Sequence, residues 1–501
     1  MVKKRSRCPV DLWGPRLWAV AALLAVGAPL GAQQAGAVAG TQTAAAQTPP
    51  PPAAAKPDPP RPAGPGGAYR PNDDPFPSTY KAPASTPLAI THATVMTAAG
   101  PSIKNGVVLV RDGKIVAVGS NIAIPPDAIV VDGTGKFVTP GVIDVHSHLG
   151  VYAAPGGVAL SDGNEATNPS TPQVWAEHSV WPQDPQFPRN LAGGVTTLQV
   201  VPGSANLIGG RGVVLKVVPG RTVQEMKFPG AKYGLKMACG ENPKRTYEQR
   251  GPSTRMGNVA GYRDAWIKAE RYRRKWDQWL ADPKGDPPDR DLAMDTLAEV
   301  LRGNILVQTH CYRADEMAQM IDVAKEFGYT IRSFHHAIEA YKIADLLARE
   351  HISASVWADW GDFKVEAMDP VMANAAIVFA AGARAVIHSD DPSGSQRLNQ
   401  EAAKAMAAGR AAGIAVTDDE AVKWFTANAA WTLGLEDRIG SIETGKNADL
   451  VLWSANPLSV YARAEKVWID GALRFDRLAP DNWWRTDFEL GYVPAIQKGR
   501  Q

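Results

Sequence analysis

Cysteine is scarce: the 501 residues include three, Cys8, Cys239 and Cys311. A disulfide framework is therefore not expected to stabilise the fold, because such frameworks need dense cysteines in short chains. Excess charge is missing as well. The 53 basic and 51 acidic residues give a formal net charge of +2, and residues 1–32 hold five basic residues (Lys3, Lys4, Arg5, Arg7, Arg16) and one acid (Asp11). The remainder thus carries 48 basic and 50 acidic residues, a balance that argues against nucleic acid or an anionic membrane surface as a partner. Long apolar runs are also lacking. The charge-free stretch at 17–30 is too short to cross a bilayer comfortably, and its basic start and small residues ending at Ala32 have the form of a secretory signal peptide. Cleavage near Ala32, with Ala39 as the alternative, would send the chain to the periplasm or the medium with no membrane span left. Cys8 would be lost, so the mature chain could carry no lipid on it.

With 45% hydrophobic and 21% charged residues, the chain can fill a large core and one smaller domain. Residues 33–87, dominated by Ala, Pro, Gly and Thr, cannot bury enough apolar surface to fold and read as an extended tether. From 88 to 138 short Val- and Ile-rich stretches are broken at Asn105-Gly106, Asp112-Gly113 and Asp132-Gly133, which are hairpin signals. From Gly141 apolar runs alternate with helical or loop segments, the pattern of a parallel sheet. Eight strands are predicted at 141–145, 195–200, 213–218, 233–238, 304–309, 330–334, 352–356 and 383–387, and helices at 314–327, 340–350 and 371–381. Strand character returns at 447–453 and 464–475, with a turn at Asp470-Gly471. The expected fold is α/β: a (β/α)8 TIM-like barrel over 139–444, a small composite β-sandwich domain from the flanking segments 88–138 and 445–475, and a C-terminal tail at 476–501. A charged helix at 262–281, carrying Trp266, Trp276 and Trp279, reads as a surface helix packing its tryptophans on the barrel in preference to an active-site lid.

Side chains at the C-terminal ends of barrel strands converge on one mouth. His146 and His148 follow the first strand and, two apart on an extended chain, face the same side. The fifth strand ends at His310, the sixth at His335-His336, and the eighth at His388-Ser389-Asp390-Asp391. Imidazoles and a carboxylate from several strands suit a divalent cation, zinc above all, one or two per chain. His92, His178 and His351 lie elsewhere and read as packed or surface histidines.

The run Thr139-Pro140-Gly141-Val142-Ile143-Asp144-Val145-His146-Ser147-His148 resembles the opening motif of the amidohydrolase superfamily, in particular its imidazolonepropionase-like branch. Thr426-Ala427-Asn428-Ala429-Ala430, the segment 433–442 and Gly445-Lys446-Asn447-Ala448-Asp449-Leu450-Val451 extend the resemblance, which covers roughly 88–475. It implies that His146 and His148 hold a first metal and His310 and His336 a second or shared one, while Asp390 binds metal and moves protons. His336 is preferred to His335 because His336-Ala337-Ile338-Glu339-Ala340 is similar to the family's sixth-strand ending. The bridging group that a two-metal site needs is placed at Glu241, after the fourth strand, with Lys216 and Lys236 as rivals. Cys239 and Cys311, beside these residues, are taken as packed thiols.

The implied function is hydrolysis of an amide or cyclic amide C–N bond in a small molecule or peptide. A deaminase acting on an amidine carbon would use the same site, and a metal-binding protein without catalysis would not need Asp390. Arg211, in the glycine-rich segment 203–212, either grips a substrate carboxylate or is a structural arginine in a turn. With His178 it completes the candidate substrate contacts.

Overall fold

The computed structural model describes residues 74–487. The expected signal peptide, the tether up to residue 73 and the last part of the tail lie outside the described residues; the tether's end, 74–87, is held to the fold, with Asp74 2.8 Å from the Lys227 ammonium and the Tyr80 hydroxyl donating to Asp470 at 2.6 Å. Two sheets organise the rest. Strands β1 (Leu88–Val95), β2 (Ile103–Arg111), β3 (Lys114–Gly119), β4 (Ile129–Asp132) and β5 (Phe137–Pro140) come first. The barrel strands follow: β6 (Val142–Ser147), β7 (Val195–Val200), β8 (Ile208–Lys216), β9 (Gly234–Ala238), β10 (Leu306–His310), β11 (Ile331–His335), β12 (Ser353–Val356) and β13 (Arg384–Ile387). Three more, β14 (Leu450–Trp453), β15 (Ala464–Ile469) and β16 (Ala472–Asp476), return to the first sheet.

That sheet has the order β16-β15-β14-β5-β1-β2-β3, with β4 on β1. Segments flanking the barrel therefore do hydrogen-bond to each other, antiparallel across β14 and β5. They make one continuous mixed sheet; the two facing layers of a sandwich are not found among the described strands. Asp112-Gly113 and Asp470-Gly471 form the expected tight turns, with positive φ at both residues of each pair (50° and 73°, 48° and 72°). Asn105-Gly106 instead falls inside β2, where the register with β1 shifts. Asp132-Gly133 is no hairpin either, since β4 and β5 both run parallel to β1.

The barrel strands pair in sequence order from β6 to β13. Between β13 and β6 the ring closes through single contacts, among them Asp390 N–H donating to the His146 carbonyl at 3.0 Å. The expected all-parallel order fails at one strand: β8 is antiparallel to both β7 and β9. Its C-terminal end, level with Thr197, consequently lies at the end of the barrel opposite the mouth. Helices cover the strands, among them Ala314–Phe327, which ends on Gly328 in the left-handed region (φ 73°), as Gly permits at a helix C-terminus. The charged helix is longer than expected, Arg255–Ala281, capped by the Thr254 side chain accepting from Gly257 N–H. Trp266 and Trp276 are buried, and Trp266 packs on Tyr329 with ring centres 4.4 Å apart. Among the described residues no helix is long and apolar enough to cross a membrane.

Candidate metal centre

Strand pleat and parallel register bring six histidines to one end of the barrel. His146 lies within β6, His310 and His335 end β10 and β11, and His336 and His388 follow β11 and β13. All five are buried, and His148 is nearly so. Asp390 sits in their midst: its Oδ1 lies 3.3 Å from His146 Nε2, 3.2 Å from His148 Nε2 and 3.7 Å from His336 Nε2. His336 and Asp390 both have positive φ, 56° and 68°. Such backbone is unfavourable for non-glycine residues and persists only where surrounding structure imposes it, often at functional sites. Here buried Asp144 fixes the Asp390 segment by accepting hydrogen bonds from the backbone N–H of His146 and of Ser389, each at 3.2 Å, and from the Ser389 hydroxyl.

The outer nitrogens are oriented in turn. His148 Nδ1 lies 2.9 Å from the Val201 carbonyl and His388 Nδ1 3.1 Å from that of Val356. His388 Nε2 is 2.7 Å from His336 Nδ1, and His335 bridges His146 Nδ1 at 2.8 Å and Gln308 Oε1 at 2.6 Å. His336, and not His335, therefore presents a nitrogen to Asp390. His310 Nε2 faces the Asn242 side-chain amide at 3.3 Å, while its Nδ1 is buried with no hydrogen-bond partner.

Burial holds the imidazoles of His146, His310 and His336 well below their ordinary pKa and takes His388 down to about 4. They are neutral, the form that ligates metals. Burial alone would raise the Asp390 carboxyl, but His336 and the hydrogen bond from His148 outweigh it and keep it ionised. Ligand atoms of His146, His336 and His388, and those of His146, His148 and Asp390, lie within 4.8 Å of one another. Neutral imidazoles around one carboxylate, with a buried ring nitrogen left over, fit a borderline-soft divalent cation.

The three bridge candidates separate. Lys236, in β9, is fully buried and points inward, its Nζ 3.2 Å from His146 Nε2; burial takes its ammonium down to about 7. Lys216 is remote because β8 is reversed: at the opposite end of the barrel it pairs with Asp470 at 2.9 Å and Asp449 at 3.4 Å. Glu241 does not reach the histidines. Gly240, with φ 78° and the Glu366 carboxylate 2.6 Å from where a Cβ would stand, turns the chain off β9, so Glu241 opens the short helix Glu241–Thr246 and its carboxylate lies 3.7 Å from Lys364.

The two substrate contacts are not at the centre either. Lys236 pairs with Gly210 in the sheet, so the next residue of β8, Arg211, projects outward by strand alternation. Its guanidinium stacks 4.0 Å over Trp175 and donates to Thr296. His178 stacks on the same Trp175, 5.6 Å between centroids. A cavity of about 360 Å³ beside His178 and Trp175 has none of the cluster histidines in its lining. The cysteines do not remain thiols. Ala238 and His310 are register partners, so the next residues, Cys239 and Cys311, meet side by side and form a disulfide, Cα atoms 5.2 Å apart. His388, which ends the eighth predicted strand but has no ligand role in the family resemblance, stands at the mouth with Lys364 and Tyr312, which nothing in the sequence marks.

Residues 137–474 match the amidohydrolase family model. The chain belongs to the amidohydrolase family. Amidohydrolase tasK of Hapsidospora irregularis is 34% identical over 399 residues, spanning 74% of this chain but only 40% of that protein. The imidazolonepropionase of Streptococcus gordonii is 24% identical over 405 residues, 70% of this amidohydrolase and 85% of the relative. A crystal structure of an amidohydrolase from Thermotoga maritima MSB8 superposes with a TM-score of 0.72 at 41% identity, covering 78% of this chain and all of the other. Membership points to hydrolysis of C–N bonds, and dependence on a divalent metal is typical of the family.

Proposed function

We propose that this amidohydrolase cleaves an amide or cyclic amide C–N bond in a small molecule or peptide, outside the cytoplasm. The observation that carries the reading is the convergence of three imidazole nitrogens on Asp390 Oδ1 within 3.7 Å. His146, His148, His310, His336 and Asp390 would hold one or two divalent cations, with zinc the first choice for this donor set and His388 the further nitrogen in reach of His146 and His336. A bound cation supplies a water of lowered pKa and polarises the scissile carbonyl. Asp390, the ionised carboxylate among the imidazoles, takes a proton on a carboxylate oxygen as the water attacks and returns it to the leaving nitrogen. His336, held by His388, faces the same oxygen and orients it.

Lys236, ahead of Glu241, would be the bridging group in this reading if two cations are held. A neutral amine is the form that adds carbon dioxide to give a carbamate with loss of one proton, and burial favours that form near neutral pH. Export is supported by the Cys239–Cys311 disulfide, since such bonds persist in oxidising compartments. The test is a panel of N-acyl amino acids, dipeptides and cyclic amides alongside deaminase substrates, with amine and ammonia release followed separately. Amine release from amides supports the proposal; ammonia release from amidines alone would replace it with deamination.

A further inference from the structure

A path of aromatic rings leads from the histidines to solvent. Trp357, the residue after β12, lies nearly parallel to His388 (17°) with centroids 5.2 Å apart, and 4.5 Å from His336. Its indole N–H donates to the Ser389 carbonyl at 2.9 Å, which fixes the ring against the Asp390 segment. Outward from it stand Trp360 at 5.3 Å and Phe363 at 6.0 Å, and Phe363 also meets Tyr312, which rests 4.5 Å from His310. Trp357 and Tyr312 are buried, whereas Trp360 is 37% and Phe363 54% exposed. An apolar wall that begins at the centre and is left open at its outer end is the kind of surface an apolar ligand group would cover.

A cation borders this wall. The Lys364 ammonium sits 4.2 Å over the Tyr312 ring and donates to Asn242 Oδ1 at 2.8 Å. The Glu241 carboxylate pairs with it at 3.7 Å, too long for a well-formed hydrogen bond. With three donors on an ammonium, Lys364 retains capacity for another acceptor. Asn242, which holds it, is the residue whose amide faces His310 Nε2. An anion taken by Lys364 would thus lie between the aromatic wall and the histidines.

We infer that the site selects amides that combine a bulky apolar, preferably aromatic, group with a free carboxylate, as in N-acyl aromatic amino acids or dipeptides ending in them. Trp357, Trp360 and Phe363 take the ring, and Lys364 takes the carboxylate. The inference rests on the hydrolase reading above and deepens it.

The experiment measures binding by calorimetry to the full-length, metal-loaded protein in an Asp390→Asn background, so that probes are not consumed. N-acetyl-L-phenylalanine should bind at least about tenfold more tightly than N-acetyl-L-phenylalaninamide, because a charge-assisted hydrogen bond contributes roughly that much. It should exceed N-acetylglycine by a similar factor through ring burial. Lys364→Met should abolish the first preference and leave the second, Lys364→Arg should keep part of the first, and Phe363→Ala should weaken the second alone. Equal affinities, preferences that survive both variants, or no binding by any probe would overturn the inference. The two readings fail differently: release of amine by the wild type from the whole panel without preference removes this one only, whereas selective binding without hydrolysis of any amide removes the hydrolase reading only.

Discussion

The Nζ of Lys236 lies 3.2 Å from Nε2 of His146, both fully buried, with the Lys236 ammonium pushed down to about 7 by desolvation. A buried lysine against an imidazole, its burial only partly offset by the nearby Asp390 charge, is costly unless it is neutralised or bound to something. Lys236→Met should therefore fold and lose metal, dropping by about one ion per chain in elemental analysis if two are held by a bridge. Glu241→Ala should retain full metal. The reverse pattern would return the bridge to Glu241.

Lys216 tests the reversal of β8. It is buried with Asp470 and Asp449 at the far end of the barrel, and breaking a buried pair typically costs about 3–5 kcal/mol. Lys216→Met should lower the denaturation midpoint accordingly while the metal content of the folded fraction stays unchanged. Loss of metal at unchanged stability would contradict the placement.

The extent to which these features could be read beforehand follows from what side-chain pattern encodes. Runs such as 195–200 and 383–387 announced strands within a residue or so of β7 and β13, and histidines at strand ends announced the mouth, because a polar residue ending an apolar run has few other places to go. Alternation does not encode strand direction. The 213–218 run was therefore placed in a parallel order, and Lys216 and Arg211 were weighed for roles that the reversed β8 denies them. Register is equally silent in one sequence, so Cys239 and Cys311, 72 residues apart, gave no sign of meeting. Lys236 carried a usable signal: a lysine inside an apolar barrel strand is seldom buried without a reason.

The disulfide closes a loop of 72 residues between the ends of β9 and β10, for which chain entropy sets a stabilisation of up to about 4 kcal/mol. Cys239→Ser/Cys311→Ser, or reduction of the wild type, should lower the melting temperature by several degrees. An unchanged melting temperature after complete reduction, checked by thiol titration, would show that the surrounding packing makes the bond redundant.

Burial, reinforced by the Glu366 charge, pushes the Glu316 carboxyl up to about 7 from an ordinary value near 4.5, with Arg255 bridging the two acids. Its folded pKa is raised, so its contribution is fully present below about 4.5 and is lost as pH climbs through 7. Unfolding free energy measured across that window should contain a falling component that Glu316→Gln removes. An identical slope in the variant would mean that Glu316 is ionised throughout.

Asp390 decides whether the centre is a catalyst. Asparagine keeps the shape and an oxygen for metal but cannot accept and return a proton at neutral pH. The direct measurement is metal content and kcat of Asp390→Asn beside the wild type, on whichever amide of the panel the wild type cleaves. The expected result is a folded variant that keeps much of its metal and loses roughly 10²–10⁴-fold in kcat, the range for lost general acid–base assistance. A folded, metal-loaded Asp390→Asn that turns over at the wild-type rate would contradict it.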